Sequence, residues 1–545
     1  MPLLGRLLKA SSMSGAVRVY VPATVLQRGL GLVRIVLLAR LFDKVHLQGQ
    51  YSLWGLGLLL FSLLTPLLPL GANHGLARYV SLFETRGRLE DFYRRIRMPI
   101  LGCVILLTAI AAAAHSPIAS ILFSSSSEQI EHVVQTRIVL LAIANACVLA
   151  LYVNMLGFLT GMRLYTLVSA IELFFSVFFT VAALAAVVAV PTAASLLTAH
   201  LVSVGVSLGV GMIMLSAAVK AVESCRPKLS AVSNRPHVIE PADEMPPQPV
   251  QDATTPASDL EAQAELPPMR GAFLRIARFG IASMFSNTVW MAMTYLSFWL
   301  VSRHYGGDSA QAGMYWFFFQ ISQPVSLLAT AAWNSISAHV AKHWESGLRL
   351  QAIRSLEVAF KAVALATLVL TALIYLLSPW WVLVVSPVWR DGLDLLPGLL
   401  MFFQATGNLG ILYLVAWLHE RPGVTLLAVL GGAAAITALA QWWLSAYGLA
   451  GAAWAAGIGM FVGSLVVAVP YLLSRRQRLH VSSYVCLVSP AVLVLAIPWG
   501  ATAVAAAVAL VVAAAIFTPW LFDSRQKSLL KDAVRQAARL GGRRA

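Results

Sequence analysis

The sequence predicts an all-α polytopic membrane protein with about 14 transmembrane helices. Three observations predict it. The 545-residue chain is 59% hydrophobic and only 11% charged, whereas soluble domains carry about 25% charged residues. Apolar runs of about 20 residues, enough to cross a hydrocarbon core, recur along nearly its whole length. The arginines and lysines gather in alternate loops.

The runs fall at 16–41, 53–80, 98–114, 138–160, 164–189 and 194–219, then at 273–302, 313–338, 358–385, 393–418, 423–445 and 448–473. Two more follow at 482–499 and 501–522, divided by Pro498 and Gly500. The first run follows MPLLGRLLKASSMSGAVRVY, which is basic but lacks a small-residue cleavage site. It therefore reads as a permanent span rather than a signal peptide. Cys103, Cys147 and Cys486 lie in spans and Cys225 in a linker. That spread supplies neither metal-ligand spacing nor a disulfide framework, and no cofactor is expected.

Charge sets the orientation. One set of loops holds Arg86, Arg88, Arg94, Arg95, Arg97, Arg163, Lys342, Arg349, Arg354, Arg421, Arg475, Arg476 and Arg478. The opposite set holds little beyond Lys44, Arg303 and Arg390. Positive loops stay in the cytoplasm, so both termini are expected there, in a bacterial inner membrane. The net charge of +16 is then a topology signal, and a nucleic-acid partner is excluded.

Five segments follow. Residues 1–221 form a six-helix lobe and 271–479 a second one; 480–522 hold the two additional spans. Between the lobes, 222–270 carries nine prolines and eight of the chain's 23 acidic residues, a composition that cannot bury enough apolar surface to order itself. The tail, 523–545, places Lys527, Lys531, Arg535 and Arg539 at four-residue spacing. It reads as a basic amphipathic helix on an anionic membrane surface.

The two lobes look like repeats. Gly49 and Gly313, Tyr51 and Tyr315, and Ser62-Leu63-Leu64 and Ser326-Leu327-Leu328 coincide at an offset of 264. Farther on, Glu84 meets Glu345 and Leu151-Tyr152 meets Leu412-Tyr413 at an offset of 261. Both halves start on one side, so the repeat is parallel, related by an axis along the membrane normal.

LLARLFDKVHLQGQYSLW, PLLPLGANHGLARYVS and YGLAGAAWAAGIGMFVGSLVVAVPYLLSR resemble the polysaccharide-export, Wzx-type flippase branch of the multidrug/oligosaccharidyl-lipid/polysaccharide (MOP) exporter superfamily. The resemblance covers roughly 16–475. It implies two six-helix lobes around a central cavity, working by alternating access. The implied substrate is an O-antigen, capsule or exopolysaccharide unit on a polyprenyl diphosphate, with membrane lipids and other polysaccharide-assembly proteins as partners. The linker and the two last spans depart from the common twelve-span pattern. The lipid II flippase branch also carries two extra spans.

The residues add a chemical reading. Arg28 and Arg34 lie well inside the first apolar run, where an arginine costs roughly 2.5–3.5 kcal/mol on insertion scales. Tyr20, Thr24, Gln27, Gly31 and Arg34 fall on one helical stripe, with Arg28 beside it. Such a stripe must face protein or water. Guanidinium stays charged and grips phosphate oxygens bidentately, which suits a cavity wall for a diphosphate. The alternative is pairing with a buried acid or with helix-end carbonyls. Arg275, Arg278 and Asn287 begin the second lobe similarly; lining the cavity and snorkelling to the interface both fit them.

Glu172 is the carboxylate placed deepest in a span. It reads either as a proton or sodium site that drives transport or as an arginine partner. His200 reads either as its neighbour on a proton path or as a packing residue. Asn154, Gln320, Gln323, Asn334, Gln404, Asn408 and Gln441 can bind sugars through their amides or hold helices together. Gly451, Ala455, Gly459 and Gly463 form a small-residue stripe suited to close helix packing.

Two other function classes are weighed. A cation-coupled multidrug exporter would favour buried carboxylates over arginines. A membrane enzyme would need a sizeable catalytic loop and paired acids, which the sequence lacks, so no enzyme activity is expected.

Overall fold

The computed structural model describes residues 13–44, 47–72, 76, 79–80, 83, 88–123, 132–224, 272–345, 348–419, 421–474, 479–524 and 526–528. The linker beyond Ser224 and most of the basic tail lie outside them, so the readings made of those segments rest on sequence.

The described residues form helices and their connections. In the first half these are α1 (Met13–Lys44), α2 (Gln48–Leu67), α3 (Leu89–Ala113), the short α4 (His115–Leu122), α5 (His132–Gly161), α6 (Tyr165–Ala189) and α7 (Ala193–Ser224). The second half holds α8 (Ala272–Tyr305), α9 (Ala310–Ser322), α10 (Pro324–Glu345), α11 (Arg349–Val385), α12 (Leu396–Asn408), α13 (Gly410–Leu418) and α14 (Pro422–Ser474). A 3-10 helix, Pro387–Leu395, joins α11 to α12. The last helices are α15 (Val481–Leu487), α16 (Pro490–Ala496) and α17 (Ala501–Phe517).

Several expected spans are broken, each for a local reason. The run expected at 313–338 divides at Pro324, which has no N–H for the preceding turn. Upstream, Ser309 caps α9 by accepting from Ala312 N at 3.1 Å. The run at 393–418 divides at Leu409. There Trp333 Nε1 donates to Gly407 O at 3.0 Å, satisfying a carbonyl that the break leaves open. The run at 482–499 bends by 57° between α15 and α16. Asn408 Nδ2 reaches Cys486 O and Ser489 Oγ, both at 3.2 Å. In hydrocarbon such freed groups need partners, and side chains of α12 supply them. The run at 53–80 ends its helix early, at Leu67, followed by Leu70 and Gly71 at φ of 50° and 68°.

The spans expected at 423–445 and 448–473 fold as a hairpin. At 53 residues α14 is far longer than a bilayer needs. Gly448, at φ 60° and ψ −143°, turns the chain back, a conformation that glycine adopts without strain. The small-residue stripe closes the hairpin. A Cβ on Gly459 would lie 2.6 Å from Ile436 N, and one on Gly463 2.4 Å from Gly431 O.

Eight of the described helices are long and apolar enough to cross a membrane, or nine with the bent pair α15–α16. The hairpin counts as one of the eight, whereas α1, α8 and α9–α10 stand outside them. The expected 14 is thus a count by sequence runs. The fold is all-α and multi-pass.

The two halves meet along α2, α8 and α9. Gly49 and Gly313, paired at the repeat offset, both sit on this seam. A Cβ on Gly49 would lie 1.7 Å from Asp308 O, and one on Gly313 2.3 Å from Gln48 O. At mid-seam Gly55 admits the buried Trp316, whose ring lies 4.6 Å from Phe298 and 5.4 Å from Phe319. Lipid is as apolar as leucine, so contacts of this kind hold by close packing rather than by exclusion of water.

Candidate functional site

The site builds outward from α1. This helix packs most extensively on α6. The facing residues of α6 recur at helical spacing: Glu172, Phe175 and Ser176, then Phe179. Ser176 Oγ donates to Gln27 O at 3.4 Å. Arg28, one residue on, is exposed and is the cation acting on Glu172. Tyr152 of α5 is also close enough to feel the same carboxylate. Nearly two turns farther along α1, the Arg34 guanidinium lies over the Phe179 ring, 4.3 Å from its centroid. A desolvated contact of this kind is worth about 2 kcal/mol.

Phe179 has a second neighbour. His200 of α7 meets it edge-on at 4.8 Å and stacks on Phe61 at 4.8 Å. Phe175 and Trp54 complete the aromatic box at 5.7 and 6.0 Å. His200 Nδ1 lies 2.7 Å from Asn145 Oδ1. Asn145 Nδ2 donates to Leu141 O and Leu197 O at 2.8 and 3.0 Å. With that amide nitrogen occupied, Oδ1 accepts and the imidazole donates from Nδ1. Phe179 therefore separates Arg34 from His200 by one ring.

The site reaches the second half through α2. Tyr51 is buried, interacts electrostatically with Arg34, and its hydroxyl donates to Gln320 Oε1 of α9. Tyr51 thus stands between the field of Arg34 and the second half, which it reaches by its hydrogen bond to Gln320. Close by, Tyr295 of α8 lies within hydrogen-bonding reach of both Ser62 and Gln323.

Of the residues singled out by sequence, the structure brings Gln27, Arg28, Arg34, Glu172 and His200 to one region of the first half. Asn287 is half-buried on α8. Arg275 and Arg278 lie on α8 with side chains outside the described residues. Charge is distributed unequally between the halves. At the 264 offset Arg34 corresponds to Phe298 and Arg28 to Ala292. Of the amides, Asn154 turns back on its own helix at Ala150 O, and Gln404 and Asn408 tie α12 to Ser489. Sequence reasoning did not single out Ser176 and Phe179 for this site. The three- and four-residue spacing from Glu172 carried the signal.

No protein-family model and no curated protein sequence matches the chain. Solved structures match by shape. The lipid II flippase MurJ in an inward closed conformation aligns with a TM-score of 0.58 at 12% identity, covering 91% of this chain and 98% of its own. MATE in a bent conformation aligns at 0.52 and 13% identity, covering 88% and 98%. A MOP-superfamily transporter from Pyrococcus furiosus, described as having a binding pocket of reversed polarity, aligns at 0.50 and 14% identity, covering 87% and 97%. The chain is thus a multi-pass membrane protein with the fold of the MOP-superfamily transporters.

Proposed function

We propose that this chain is a flippase, not an enzyme, moving an anionic lipid-linked oligosaccharide across the bacterial inner membrane by alternating access. The substrate class is a saccharide on a polyprenyl diphosphate, such as an O-antigen, capsule or exopolysaccharide unit. Both termini face the cytoplasm in this reading, as the loop charges direct.

The observation that carries it is the placement of Arg28 and Arg34. On the sequence reading two guanidiniums lie within the first apolar run, and their helix also touches α9, α10 and α11 of the second half. Arg34 interacts electrostatically with Tyr51, which hydrogen-bonds Gln320 across the seam. Permanent cations at a lobe-to-lobe junction suit a diphosphate that must be gripped and then released as the lobes move. Glu172 beside Arg28 moderates the field and keeps the site from trapping its anion.

The test is export of the lipid-linked unit in cells carrying Arg28→Ala or Arg34→Ala. Both variants lose export at normal membrane abundance, and Arg34→Lys retains part of it. Normal export by both alanine variants overturns the reading.

A second reading is the lipid II branch of the superfamily. The overlay on MurJ covers 91% of this chain, and that branch shares the two extra spans. Rescue of a strain depleted of its lipid II flippase separates the two. A third reading, cation-coupled multidrug export, rests on Glu172 alone; it expects Glu172→Gln to sensitise cells to cationic dyes.

A further inference from the structure

Away from the seam, α4, α5 and α7 line an open groove of about 640 Å³, within the range of small-ligand sites. It has no place in the transport reading. His115 at the head of α4 and His132, Thr136 and Arg137 of α5 line it, with Thr198 of α7 opposite and Leu140 farther along α5. Among the described residues that line it there is no carboxylate.

The spacing explains the lining. His132, Thr136 and Leu140 lie on one stripe of α5, with Arg137 beside it. Arg137 sits about 7.5 Å along the helix from His132 at 1.5 Å per residue, so the polar groups occupy the first turns of α5, with Leu140 and Leu141 beyond them. His115 Nδ1 is held by Ala112 O at 3.0 Å, which leaves Nε2 to meet a ligand. The groove opens beside apolar surface: its lining residue Val133 is 71% exposed, and Ile110 near the end of α3 and Ile121 of α4 are 55% and 65% exposed. Leu101, Ile105 and Leu106 continue that exposed apolar surface along α3. In a multi-pass protein these side chains meet lipid tails.

A cationic pocket above a lipid-facing apolar rim has the layout of a phospholipid, phosphate above and acyl chains below. We infer that this groove is a binding site for the phosphate headgroup of an anionic bilayer phospholipid, held by Arg137 and the two histidines at the membrane face where α3 ends and α5 begins. Arg137 supplies the permanent charge. His132 and Thr136 can donate to the phosphate oxygens, and His115, whose Nδ1 proton goes to Ala112 O, does so through Nε2 as the imidazolium. The bound lipid would brace α3, α5 and α7 where they meet.

The test uses the full-length protein in nanodiscs of phosphatidylcholine doped with phosphatidylglycerol, with retained lipid counted by native mass spectrometry. The wild type retains phosphatidylglycerol over phosphatidylcholine, and inorganic phosphate does not displace it. His132→Gln with Arg137→Gln lowers that preference about tenfold, the scale of a charge-assisted hydrogen bond. Arg137→Lys keeps most of it, and Arg390→Gln, a charge removed elsewhere, keeps all of it. Equal retention in the wild type and the double variant overturns the proposal. So does displacement by inorganic phosphate, since a soluble anion would then suffice. If the double variant cannot be recovered, an absence of lipid preference in the wild type overturns it equally. Lipid retention is read without transport, so failure of the flippase reading leaves this result interpretable.

Discussion

Gly71 and Gly280 touch backbone to backbone. A Cβ built on Gly71 would stand 2.2 Å from the Gly280 carbonyl oxygen, and one on Gly280 would stand 2.6 Å from that of Gly71. Gly71 follows α2 in the first half and Gly280 lies in α8 of the second. With Gly49 against Asp308 and Gly313 against Gln48 at the opposite end of α2, the seam is closed at both ends by contacts that only glycine permits. Overpacking of such a contact costs about 1–3 kcal/mol, which moves a two-state equilibrium roughly tenfold to a hundredfold. Gly280→Val therefore shifts the protein toward a state parted at that end. Faster thiol labelling of a cysteine placed at Met284, buried one turn beyond Gly280, with membrane abundance unchanged, is the expected result; unchanged labelling counts against a hinge here.

Phe179 lies between Arg34 and His200, so its ring serves both. Phe179→Leu keeps an apolar residue and removes the cation–π contact, worth about 2 kcal/mol when desolvated. Transport is expected to fall by about tenfold while protein abundance holds. His200→Phe keeps the aromatic box and should cost far less, unless the imidazole carries protons. A complete loss in His200→Phe would assign it that role.

Trp333 anchors the break between α12 and α13. A Cβ on Gly410 would lie 1.9 Å from Trp333 Nε1, so Gly410→Ala displaces the indole and unseats its bond to Gly407 O. The melting temperature in detergent should drop markedly. Trp333→Phe loses the hydrogen bond but little volume, and its cost is about 1 kcal/mol. Equal melting of Gly410→Ala and the wild type would refute the anchor.

Glu357 docks the last spans. It is buried on α11, accepts from Ser483 Oγ at 3.3 Å, and receives the His480 N–H. Lys361, one turn on and 1% exposed, donates to Gln526 at 3.4 Å. Glu357→Leu leaves two donors, the His480 N–H and the buried Ser483 hydroxyl, without their acceptor. Leaving a buried donor unsatisfied costs about 1–3 kcal/mol. Limited proteolysis should then cut near residues 475–478 faster than in the wild type, with Glu357→Gln intermediate. Identical cleavage in all three would show that the spans dock by other contacts.

Much of this was legible in one dimension. The long apolar runs announce membrane helices because lipid leaves the backbone no other partner. The stripe of Gln27, Gly31 and Arg34 announced a polar face on α1. The small-residue stripe ending in Gly463 announced close packing, and the hairpin of α14 uses it.

Other features depended on long-range contacts. Proline and glycine mark where the runs at 313–338 and 393–418 can break. Whether they do depends on partners such as Trp333, 74 residues from Gly407. The Tyr51–Gln320 bridge joins residues 269 apart, a distance over which helical periodicity carries no information.

The sequence by itself determined that this is a multi-pass helical membrane protein and that two arginines interrupt its first apolar run. Local composition and 3.6-residue spacing are enough for that. Only the tertiary structure decided what those arginines face: Phe179 and Tyr51 for Arg34, Glu172 for Arg28. Such neighbours are chosen by the docking of whole helices, and close fit at glycines such as Gly71 and Gly280 sets that docking where lipid supplies no hydrophobic drive.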